Sequence, residues 1–291
     1  MSTVVVSGVF VGLIYGLLAV GLVVTYRASR IINFAYGETG MLAAMVYFDI
    51  RLGTAAGAFN DHGILVALPS ALLLGAAFGA AMEFLIARPL RDNPTLNGMV
   101  ATIAASLLFL TYAIRRWGIQ ARPTKELVTG EGVRVAGITI SPSQILILVC
   151  TVVIIAGLGT VYRYTSLGLR LRATAVDPYA AALAGINTNT TAMGTWALAG
   201  ALSALSAILI SPLVAMNVFF MTLLALRAFA AALVGGLTSM WGAFTAGLFL
   251  GVLEAVVKYK SEIVGITDVA IAAGILLMLL VRPGGLVRAH Y

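Results

Sequence analysis

Long apolar blocks alternate with short polar breaks along this chain. Blocks of near-continuous hydrophobic residues cover 3–26, 63–87, 98–114, 143–164, 191–210, 241–257 and 264–281. A helix needs about 20 apolar residues to cross a hydrocarbon core roughly 30 Å thick, and these blocks come close to that length. Two further stretches are shorter. One follows Gly37 and Glu38 and ends near Ile50. The other covers 219–235, carries Arg227 in its interior and is broken by Gly235 and Gly236. Barrel strands would read as runs of about ten residues in strict alternation, a pattern absent from this chain. The pattern predicts an all-α, polytopic membrane protein with about eight transmembrane helices plus one short or re-entrant helix, forming one transmembrane domain over 1–291.

The polar breaks carry local signals of their own. Residues 115–142 form the longest one, with strand character at 126–129, 133–135 and 138–140 and turn-like pairs between them. A small β-hairpin outside the membrane is predicted there. Residues 165–190 (TSLGLRLRATAVDPYAAALAGINTNT) are amphiphilic instead of apolar. Pro178 fits a first helical turn, Asp177 is placed to cap it, and Gly185 is placed to stop it, so a short helix over 178–184 is predicted. Gly8, Gly12 and Gly16 recur every four residues, as do Gly75 and Gly79. That spacing puts glycines on one helix face, where two backbones can approach closely.

Composition agrees with burial in lipid. Of 291 residues, 61% are hydrophobic and 10% are charged, with a mean hydropathy of +1.04. Soluble domains carry about 25% charged residues to face water. The net charge of +7 is scattered at block ends, where Lys and Arg anchor helices at headgroups, and does not point to nucleic acid. Cys150 is the single cysteine, and the two histidines are His62 and His290. No internal disulfide or cysteine–histidine metal set can be assembled from these. The first block lacks the basic start and small-residue cleavage site of a secretory signal, so it is expected to stay as a helix. Basic residues divide nine to eight between the two sides, so charge alone leaves the orientation open.

Ionisable groups inside apolar segments mark functional candidates. Glu38, Glu83, Arg227, Glu254 and Asp268 meet that description. Glu83 lies five residues before Arg88 and reads as an anchor. Glu254 lies four residues before Lys258, where a helix brings them together as an ion pair. Asp268 sits early in its block, placed to accept from free amides. Glu38 also lies near a helix start, with Arg27 and Arg30 close in sequence. Arg227, flanked by apolar residues, needs a partner or a wet cavity. No P-loop, HExxH or GxSxG motif is present, which argues against nucleotide binding and hydrolytic chemistry in this chain.

Three phrases together resemble one family, the permease subunits of branched-chain amino acid importers of the ATP-binding-cassette class. The first is RIINFAYGE from Arg30 to Glu38, followed by Met41-Leu-Ala-Ala44; family members carry a similar RIINFAHGE, and Tyr36 stands where His is common. The second is GLRLRATAVD from Gly168 to Asp177, followed by AALAGIN up to Asn187. The third is AFAAALVGGLTSMWGA from Ala228 to Ala243, continuing to Gly247, Gly251 and Glu254.

The resemblance implies that residues 165–190 face the cytoplasm and contact the ATPases. Arg170, Arg172, Asp177, Pro178 and Gly185 would then be the coupling residues. It implies four kinds of partner: the lipid bilayer, a second permease that is a paralogue rather than an identical copy, two cytoplasmic ATPases that bind the ATP, and an extracytoplasmic solute-binding protein. No cofactor is expected in this chain. The location implied is the bacterial inner membrane, and the solute class is amino acids. Asn33, Tyr36, Glu38, Asn217 and Arg227 are the residues expected near the translocation pathway. Alternative readings are a permease for urea, amides or another small polar solute, an ion-coupled secondary transporter built around the short helix with Arg227, and a membrane-embedded enzyme, for which no catalytic cluster forms.

Overall fold

The structure, a computed structural model, describes residues 1–52, 63–91, 93–122, 124, 127–128, 130–135, 138–260, 269 and 272–273. Apart from residues 269, 272 and 273, the predicted block at 264–281, Asp268 included, falls outside these residues, as do both histidines. Ten α-helices are described: α1 (Ser2–Ser29), α2 (Tyr36–Leu52), α3 (Ile64–Met82), α4 (Thr95–Trp117), α5 (Pro142–Tyr164), α6 (Ser166–Val176), α7 (Pro178–Leu183), α8 (Thr188–Ile210), α9 (Phe220–Gly235) and α10 (Met240–Lys260). A π-helical turn, Glu83–Ala87, extends α3. Among the described residues six segments are long and apolar enough to cross a membrane: Thr3–Ser29, Ile64–Ala87, Thr95–Trp117, Pro142–Tyr164, Thr188–Ile210 and Met240–Lys260. The chain is an all-α polytopic membrane protein, as the block pattern predicts.

Small residues bring the central helices together. Lipid tails offer no hydrophobic drive for helix association, so close backbone packing has to supply it. The most extensive pairing is α1 against α10. A Cβ added at Gly8 would lie 2.7 Å from the Ala255 Cβ, and one at Gly12 would lie 2.7 Å from the Leu248 carbonyl oxygen. A second seam joins α3 to α8, where a Cβ on Gly75 would lie 2.6 Å from the Gly200 carbonyl oxygen. Both glycine rows in the sequence are therefore packing seams.

Burial explains the two short helices. In α2 every residue but Val46, Arg51 and Leu52 is buried, because α3, α8 and α9 surround it. A helix enclosed by protein does not need a full apolar span. α4 and α5 lie at the periphery. In α5 the buried positions are Ser143, Ile147, Thr151 and Ile155, one every four residues, while Val149, Val152 and Val153 are exposed. Apolar surface of that kind belongs against lipid.

The β-hairpin forms with β1 (Val133–Val135) antiparallel to β2 (Ile138–Ile140), pairing Val133 with Ile140. Of the stretch with strand character at 126–129, the described residues, Leu127 and Val128, are a bend. Residues 166–176, read from sequence only as amphiphilic, are helix α6. The stop between α6 and α7 is Asp177, in an extended conformation.

Candidate functional site

Two places in the fold gather the predicted functional residues. At one end of the molecule, α6 and α7 run beside the start of α8. Asp177 accepts hydrogen bonds at one carboxylate oxygen from the amides of Tyr179 (2.9 Å) and Ala180 (3.0 Å). Pro178 occupies the first helical position, where a missing N–H costs nothing. Gly185 closes the other end at φ 83°, with its own amide and that of Ile186 returning to the carbonyls of Ala182 and Ala181. The short helix is thus fixed by its own caps, since Ala181 is its one buried residue. Its outer surface is apolar: Tyr179 and Leu183 are each 75% exposed, and Val176 lies beside them. Arg170 and Gly185 line a groove of about 600 Å³ between α6 and α8, with Arg172 half-buried further along α6.

Two polar ties lead from this end into the helix bundle. Arg30 caps α1 in the left-handed region (φ 58°, ψ 12°), where a side chain is disfavoured. Its Nη2 donates to the Ala175 carbonyl at 2.8 Å, two residues before Asp177. The second tie runs through α3. Glu83, fully buried, accepts from Arg88 (2.9 Å) and Arg91 (3.1 Å), and Arg91 also donates to Asn189 (2.9 Å) at the start of α8. Sequence spacing links Glu83 to Arg88. The Arg91–Asn189 bond and the role of Arg30 depend on the folded arrangement and were not legible from the chain.

The second place is a cavity of about 160 Å³ between α2, α4 and α9. Asn33, Glu38, Ser106 and Thr222 supply its polar lining, and Leu22, Ile103, Leu226 and Phe229 are among its apolar walls. Asn33 and Glu38 are each 4% exposed. The Asn33 Oδ1 accepts from the Ala35 amide at 3.0 Å, fixing the side chain so that Nδ2 is left as a donor. Glu38 Oε1 accepts from the Thr222 hydroxyl at 3.0 Å, while Oε2 accepts no hydrogen bond among the described residues. Thr222 had no signal in the sequence; only the approach of α9 to α2 makes it a partner.

The other three pathway candidates lie apart from this cavity. Tyr36 is buried with its ring against Gly21 of α1, and its carbonyl accepts from Ser203 at 2.7 Å. Asn217 lies in the turn before α9, where its Oδ1 accepts from the Phe219 amide at 2.8 Å. Arg227 donates to Glu254 (2.8 Å) and to the Tyr15 hydroxyl (2.9 Å), while that hydroxyl donates to the second Glu254 oxygen at 2.7 Å. Lys258 completes the network through Glu254. The pairing of Glu254 with Lys258 follows from their spacing, and Glu254 also supplies the partner that Arg227 needed. A further cluster at the hairpin end joins Asp49 to Arg122 (2.9 Å) and Trp117 (2.7 Å). Among the described residues no group of His, Cys, Asp and Glu could hold a metal ion.

Known proteins share both the sequence pattern and the fold. The family model described as a branched-chain amino acid transport system permease component matches residues 4–281. The chain is 31% identical over 290 residues to the high-affinity branched-chain amino acid transport system permease protein BraD of Pseudomonas aeruginosa, covering 97% of this chain and 94% of that protein. It is 29% identical over 293 residues to the permease protein LivH of Salmonella typhimurium, covering 96% and 93%. A probable LivH of Methanocaldococcus jannaschii is 27% identical over 254 residues, covering 84% and 76%. Among solved structures, PsaBC from Streptococcus pneumoniae in complex with Fab has a similar fold, with a TM-score of 0.52 and 12% identity, covering 97% of this chain and 92% of that one.

Proposed function

Because the chain belongs to the family of branched-chain amino acid transport permeases, we propose that it forms one half of the translocation pore of an ATP-binding-cassette importer. The solute is a branched-chain amino acid, the membrane is the bacterial inner membrane, and residues 165–190 face the cytoplasm. A paralogous permease supplies the other half of the pore. Two ATPases bind and hydrolyse the nucleotide, and an extracytoplasmic binding protein delivers the solute.

The single observation that carries this reading is the self-capped helix α7. A six-residue helix with one buried residue contributes almost nothing to the core. Capping at both ends and an apolar outer surface of Val176, Tyr179 and Leu183 suit it to sit in a groove of another protein. When the ATPases close, α7 moves as a rigid body. The Arg30 bond to Ala175 carries that movement to residues 31–35, which lead directly to Asn33 and Glu38. The Arg91 bond to Asn189 carries it to Glu83 and α3. Glycine seams along α1–α10 and α3–α8 let those helices slide with few side chains to disengage.

The ion-coupled alternative was built around the charge of Arg227. That side chain lies apart from the cavity and is bonded to Glu254 and Tyr15 instead. A direct test places a cysteine at Tyr179 in the assembled transporter and scans the ATPase for a cross-linking partner. Cross-links that change in yield between nucleotide-free and ATP-bound states are expected. No cross-link from Tyr179→Cys, Val176→Cys or Leu183→Cys to any ATPase position would remove the proposal.

A further inference from the structure

The cavity between α2, α4 and α9 has the chemistry of an amino-acid site. A buried carboxylate oxygen without a donor is costly, because desolvation is not repaid by a hydrogen bond or a counter-charge. Among the described residues Glu38 Oε2 is in that position, while Thr222 donates to the other oxygen. Among the described residues no cation lines the cavity. Asn33, held by the Ala35 amide, offers the complementary group, a donor Nδ2 on the same wall. Apart from Ser106, the rest of the lining is aliphatic or aromatic, with Leu22, Ile103, Leu226 and Phe229 prominent. One carboxyl oxygen without a donor, one amide donor and a largely apolar wall match a zwitterion with an aliphatic side chain.

We infer that the permease itself recognises its solute in transit, with Glu38 accepting from the α-ammonium group, Asn33 donating to the α-carboxylate and the apolar wall receiving a branched side chain. This inference rests on the pore reading given above. It goes beyond that reading because a pore fed by a binding protein requires no specific contact of its own. A urea or amide solute would leave Glu38 without a counter-charge, so the site also selects among solute classes.

The test uses the assembled complex of both permeases and both ATPases in nanodiscs, without the binding protein. Equilibrium binding of radiolabelled leucine is measured by scintillation proximity. Wild-type complex is expected to bind leucine, and 4-methylpentanoate, which lacks the ammonium group, is expected to compete at least about tenfold more weakly than unlabelled leucine, the usual value of a charge-assisted bond. Glu38→Gln should weaken leucine binding by about tenfold or more, and Thr222→Ala by less, because it removes a neutral donor. Co-purification of each variant with the ATPases reports whether it assembles. A Glu38→Gln complex that fails to co-purify is replaced by Asn33→Ala, which should also weaken binding. No leucine binding to wild type, equal competition by 4-methylpentanoate, or wild-type affinity in the assembled variants would overturn the inference. ATP-driven leucine uptake separates the two ideas: uptake without permease binding sinks the site alone, whereas absence of uptake sinks the pore reading.

Discussion

Replacing Asp177 with Ala should uncouple ATP hydrolysis from solute movement. One Asp177 oxygen accepts from two helix-start amides, those of Tyr179 and Ala180. Removing such a cap costs about 1 kcal/mol, within a range of roughly 0.5–2. Most protein helices tolerate that loss because tertiary packing holds them. α7 cannot, since Ala181 alone is buried and six residues fall below the ~12 needed for an isolated helix to persist. At about 1.4 kcal/mol per factor of ten, the loss lowers the formed-to-unformed ratio of the helix about fivefold. Losing the cap shortens the time during which a lever exists. The assay is parallel measurement of ATP hydrolysis and labelled amino-acid uptake by the complete complex in proteoliposomes. Asp177→Ala should lower the uptake-to-hydrolysis ratio by up to about fivefold, the change in the helix equilibrium, and Asp177→Asn, an equally good cap, should restore it. An unchanged ratio in Asp177→Ala, or an Asn variant as impaired as the Ala variant, would refute the reasoning.

Other expectations follow from the packing and polar ties. Arg30→Gly relieves a left-handed conformation worth about 1 kcal/mol yet removes the bond to Ala175; thermal stability should hold or rise while the uptake-to-hydrolysis ratio falls. Gly12→Leu drives a side chain into the Leu248 backbone of α10, so the chain should fail to accumulate in the membrane, as read by immunoblot of solubilised protein. Glu83→Ala strips a fully buried acceptor from Arg88 and Arg91 and should lower the detergent-solubilised melting temperature, with a cost of about 3 kcal/mol. Arg227→Met leaves Glu254 with Tyr15 and Lys258, so a smaller loss is expected there, measured in the same melt.

The helices were legible in the chain because the bilayer imposes length and apolarity together. α7 was legible for a different reason: Asp177, Pro178 and Gly185 each act on the backbone within a few residues. Helix α6 was missed because Arg170 and Arg172 interrupt its apolar positions and its amphiphilic face lies between elements instead of on a lipid surface. Asp49 escaped notice at a helix end, although it joins Trp117 and Arg122 across three segments. The pairings Glu38–Thr222, Arg227–Glu254–Tyr15 and Arg30–Ala175 span from 27 to 239 residues of sequence. Such partners are chosen by which helix faces meet, and a single chain read in one dimension does not record that.

A comparison of uptake with and without the ATPases bears most directly on the central claim. Vesicles holding the two permeases and supplied with binding protein and leucine should accumulate none above equilibrium, under an imposed proton or sodium gradient included. Adding the ATPases and enclosed ATP should produce accumulation. Uphill uptake by the permeases alone would contradict the account.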